Sequence, residues 1–86
     1  MDLEEKVKIT KEIHKSIKKA KELYNEKKWE KASDLFKEIG LLAKKINDEK
    51  IYDECLRYIS ICMIKIKEAV DKQKKGIENS FSDLYD

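Results

Sequence analysis

Eighty-six residues and 10.2 kDa leave room for one small domain built around one core. Hydrophobic residues make up 41% and charged residues 44%, with two glycines and no proline, which excludes a low-hydrophobicity disordered chain and a turn-rich β-sandwich. Twenty basic residues against 18 acidic ones leave a net charge of +2, too balanced for a dedicated nucleic-acid binder.

No apolar run approaches the roughly 18 residues that a membrane-spanning helix needs. The N-terminus, Met1-Asp2-Leu3-Glu4-Glu5, is acidic and lacks the apolar stretch of a secretory signal. Two cysteines do not make a secreted disulfide scaffold, so a cytoplasmic protein is expected.

The first element is a helix over about 2–26. Val7, Ile13, Ile17, Ala20 and Tyr24 recur at steps of three and four, with Thr10 filling the gap, which draws one apolar stripe. Asp2, Glu4 and Glu5 suit the positive end of its dipole, and Asn25 suits its stop. A second helix follows over about 28–46, with Trp29, Ala32, Phe36, Ile39, Ala43 and Ile46 on its stripe. Leu35 and Leu42 widen that stripe, so this helix is expected to lie between two neighbours.

Asn47-Asp48-Glu49 punctuates the chain and opens a third helix over about 48–75, with Gly76 as its stop after Lys72, Lys74 and Lys75. The remaining residues, 77–86, read as an acidic-aromatic tail, either frayed or a short docking motif. The expected fold is an all-α, three-helix antiparallel bundle with this short C-terminal tail.

The third helix carries more apolar surface than one stripe requires. Leu56, Ile59, Cys62, Met63, Ile66 and Val70 form an expected core face, while Tyr58, Ile61 and Ile64 fall outside it. That surplus implies a second covered surface, with Tyr58, Ile61 and Ile64 for contact and Arg57 and Lys65 beside them. The cover is a partner helix or peptide, a second copy giving a homodimer, the chain's own tail, or a following repeat in a longer array. Replacing Ile61 and Ile64 with Ser is expected to abolish association and leave the fold intact.

The stretch Lys28-Trp29-Glu30-Lys31-Ala32 through Phe36 resembles the second helix of a tetratricopeptide repeat. Trp29, Ala32 and Phe36 hold that family's aromatic, small and aromatic places; Ile39 takes the place that follows, and Ala20 fits the small position of the preceding helix. Leu56, Ile59 and Ser60 resemble the start of a next repeat. Ser16 stands where the family has Trp, no Pro closes the repeat, and Lys72 and Gly76 fill the places where a second repeat would show Ala and an aromatic residue. One hairpin and one long helix also resemble the MIT (microtubule-interacting and trafficking) domain. Both resemblances imply a non-catalytic adaptor that binds peptides or helices in grooves, the MIT-like one implying a filament-forming, membrane-remodelling partner.

Chemistry is sparsely represented. His14 is the one histidine, and Cys55 and Cys62 stand seven apart on one helix, about 10 Å of rise and too far for a disulfide. Neighbouring carboxylates point about 100° apart and build no acid/base pair. No enzyme, metal site or cofactor is expected. The competing reading is a small nucleic-acid accessory protein that uses Lys8, Lys11, Lys15 and Lys18 on the outer face of the first helix. The first 46 residues carry +4 and the rest −2, which also favours an anionic partner there.

Overall fold

The computed structural model describes the backbone of residues 1–85 and the side chains of residues 1–72. The fold is all-α: α1 (Leu3–Asn25), α2 (Trp29–Lys45) and α3 (Glu49–Tyr85), a three-helix bundle with no strand among the described residues.

Each boundary has a local cause. Asp2 caps α1, its carboxylate accepting from the Glu5 N–H at 2.8 Å. Asp48 does the same for α3, accepting from the Ile51 N–H at 3.1 Å. Both interhelical turns are Schellman motifs. After α1, Lys28 N–H donates to the Leu23 carbonyl at 2.9 Å and Lys27 N–H to that of Tyr24 at 3.0 Å. After α2, Asp48 N–H donates to the Ala43 carbonyl at 2.8 Å and Asn47 N–H to that of Lys44 at 3.1 Å. The geometry puts one residue of each turn in the left-handed region, Lys27 at φ 62° and Asn47 at φ 58°. α1 ends at Asn25, the expected stop, but the left-handed residue that turns the chain is Lys27, two residues on.

α3 differs from expectation in length. Its helix runs to Tyr85, through Gly76, where a stop was read from the sequence. A lone glycine costs a helix only about 1 kcal/mol relative to Ala, and no proline follows to enforce the stop. The side chains of the 77–86 tail, and any docking motif in it, lie outside the described residues.

α2 lies between α1 and α3, which touch each other little. Its core face holds the buried Ala32, Phe36, Ile39 and Ala43, which pack against Ile9, Ile13 and Ala20 of α1 and Cys55 and Cys62 of α3. α3 crosses α2 beside Gly40, where a Cβ would make ordinary contacts, 3.7 Å from the Cys55 Cβ and 3.8 Å from a Tyr52 ring carbon. Position numbers fall along α2 as they rise along α3, from Gly40 beside Cys55 to Glu30 beside Val70, so the two helices are antiparallel.

Two stripes are rotated from the reading above. On α1, Ile9 is buried and Val7 is exposed. On α3 the inward face is Ile51, Tyr52, Cys55, Tyr58, Ile59 and Cys62, while Leu56, Met63 and Val70 face out. At this crossing Cys55 faces α2 and is buried, while Leu56 points outward. The face thereby turns by about one residue.

Candidate interaction surface on the third helix

Tyr58 was expected on the outer surface; it is a core residue. Its ring stacks on Phe36 with centroids 4.5 Å apart and planes 8° apart. Tyr24 meets it edge-on at 5.1 Å and meets Trp29 edge-on at 5.1 Å. Lys21 of α1 lies 5.9 Å over the Tyr58 ring and pairs with Glu54 at 3.4 Å. This aromatic cluster ties all three helices together at the α1–α2 turn. An aromatic residue i+3 from Cys55 on a helix that must cover Phe36 was the sequence signal for it.

The other four expected contact residues are on the surface. Ile61 is 39% and Ile64 57% exposed. Arg57 and Lys65 are exposed as well, Lys65 standing 3.8 Å from Glu68 on its own helix. None of these four lines the groove between α2 and α3.

The groove lies on the opposite flank of α3. Met63 and Val70, 57% and 50% exposed, and the half-buried Ile66 form one wall. Glu30, Asp34 and Lys37 of α2 form the other, with the buried Ser33 between the helices and Lys67 on the rim. Its volume is about 440 Å³. Leu56, 44% exposed, continues the apolar wall toward the start of α3, one heptad before Met63. Sequence reading assigned these residues to the core. They stand on its edge because the face of α3 packed into the core is centred on Cys55, Tyr58 and Cys62. An apolar wall facing a mixed-charge wall suits an amphipathic helix laid lengthwise.

The other candidates are placed as follows. Lys8, Lys11, Lys15 and Lys18 are all exposed on α1, with exposed Glu4, Glu12 and Glu22 among them. His14 is exposed on a shallow apolar patch with Leu3, Val7 and Thr10. Cys55 and Cys62 are buried, unpaired thiols. Burial, and next to it the charge of Glu54, pushes the Cys55 thiol up to about 11; burial alone raises Cys62. Both are therefore protonated at neutral pH and serve as small apolar filling. Among the described residues no group of acidic, His and Cys side chains could hold a metal ion, and no helix is long and apolar enough to cross a membrane. Compared with family models, curated proteins and solved structures, the chain matches none.

Proposed function

We propose that this chain is a non-catalytic interaction module that binds an amphipathic helix, from a partner protein or a second copy, along the exposed flank of α3. One observation carries this reading: Met63 and Val70 stand more than half or half exposed in a groove against α2, on a helix whose core contacts are already satisfied by Cys55, Tyr58 and Cys62. The tetratricopeptide- and MIT-like pattern at Trp29, Ala32 and Phe36 supports the same class of function. So does the chemistry of the reactive side chains. The one histidine is exposed on α1, and the two thiols are buried under α2, away from it.

The test is selection from a displayed library of short helical peptides. Binders are expected to carry apolar residues at i, i+3/i+4 and i+7, and to lose binding to Met63→Ser/Val70→Ser while keeping it to Ile61→Ser/Ile64→Ser. The converse sensitivity would return the site to the Arg57–Lys65 face. Affinity that collapses with salt and ignores both pairs of variants would favour the lysine stripe of α1 and an anionic partner instead.

A further inference from the structure

α1 carries a second apolar surface, apart from the α3 flank. Leu3, Val7, Thr10 and His14 recur along it at steps of four and three, and with Lys6 and Lys11 they line one shallow patch. At about 100° per residue this stripe is turned about a third of a revolution from the buried Ile9, Ile13 and Ala20. Leu3 is 79% and Val7 46% exposed. The Thr10 hydroxyl donates to the Lys6 carbonyl at 2.8 Å, so it brings no unsatisfied donor to the stripe. α3 does not cover this end of α1. The two meet at Lys21–Glu54 and Tyr24–Tyr58, in the last turns of α1, and α3 begins only at Glu49.

The charge around the stripe has one sign. Lys6 and Lys11 stand on its two edges, and no carboxylate lines it. Among the described residues neither lysine is held in an ion pair, unlike Lys21, Lys28 and Lys65. The acidic side chains of α1 line other hollows, Glu4 and Glu5 beside Lys8, and Glu12 and Glu22 beside Lys15 and Lys18.

We propose that this stripe seats α1 on the surface of an anionic lipid bilayer, with Leu3 and Val7 entering the headgroup region and Lys6 and Lys11 meeting the lipid charges. All six lining residues belong to α1, so the patch has no second wall. A docked helix gains from a groove such as the one between α2 and α3, whereas a bilayer receives a single convex face. The lysine stems lie along the apolar stripe and keep their ammonium groups among the headgroups. Nucleic acid would reward the lysines alone: the stripe between them holds no phenyl, phenol or indole ring on which a base could stack. The attachment is interfacial and reversible. Two apolar side chains hold too little by themselves, and so do two lysines, so binding needs both.

Co-sedimentation of the full chain with vesicles tests this. Phosphatidylcholine vesicles containing about a third phosphatidylserine are expected to carry the chain down, and vesicles of phosphatidylcholine alone are not. Lys6→Gln/Lys11→Gln should weaken binding by more than about tenfold, at about fivefold per lysine, and Lys6→Arg/Lys11→Arg should keep it. Leu3→Ser/Val7→Ser should weaken it by about tenfold. The far-UV circular dichroism of all three variants should match the wild type, since all four side chains are exposed. Met63→Ser/Val70→Ser should bind vesicles as the wild type does, which keeps this outcome separate from the reading of the α3 flank. A chain that ignores the anionic vesicles, or binds the neutral ones equally well, overturns the proposal. So does binding that needs the lysines but survives Leu3→Ser/Val7→Ser; release of that binding by duplex DNA would assign the lysines to nucleic acid instead.

Discussion

Lys27 and Asn47 occupy equivalent places in the two Schellman turns, and the backbone asks both for a positive φ. Asn tolerates that conformation; a residue with an ordinary Cβ substituent such as Lys tolerates it less well. Lys27→Gly is therefore expected to raise stability by about 1 kcal/mol in urea denaturation, with an unchanged m-value. Asn47→Gly should gain less. At Cys55 the folded thiol keeps its proton until about pH 11, whereas an ordinary thiol loses it near 9.0. The raised value means the fold favours the neutral form. Stability from this group is thus complete below about pH 9 and is lost as pH rises toward 11. A falling urea midpoint across that window is expected for the native chain and should be reduced in Cys55→Ala.

Among the elements, α3 shows best how a helix divides its faces. Tyr58 is stacked on Phe36, so Tyr58→Ala should cost about 2–3 kcal/mol and loosen all three helices, visible as lost near-UV ellipticity. Ile64→Ser, out on the surface, should stay within about 0.5 kcal/mol of wild type. α2 meets α3 at Gly40, where a methyl group would make ordinary contacts at 3.7 and 3.8 Å. Gly40→Ala should accordingly stabilise the chain by about 0.5–1 kcal/mol through helix propensity, and a thermal melt would show it. A fall in the melting temperature would mean the helices cross more tightly than these distances allow.

For the whole molecule, the proposed interaction makes stability a property of the concentration of whatever occupies the α3 flank. A chain whose α3 is held by a second copy should melt at a higher temperature as concentration rises, and Met63→Ser/Val70→Ser should abolish that dependence. Two thiols buried in the core add an independent reading. Their reaction with a thiol reagent should be slow in the native state and should track global opening, because each thiol must be both exposed and deprotonated first.

The helical class, the number of helices, both turns and most of the α2 core were legible in the sequence, because period, caps and the Asn47–Asp48 punctuation act over a few residues. The apolar surplus on α3 was legible too, as a count of large side chains beyond one stripe. Which of them face inward was decided in three dimensions. The rotation that turns Cys55 and Tyr58 inward and leaves Leu56, Met63 and Val70 outside depends on where α2 crosses α3, which is beside Gly40. Hydrophobicity along one helix ranks Leu above Cys. Only the placement of the neighbouring helix makes the smaller residue the core one and leaves the larger ones on the surface.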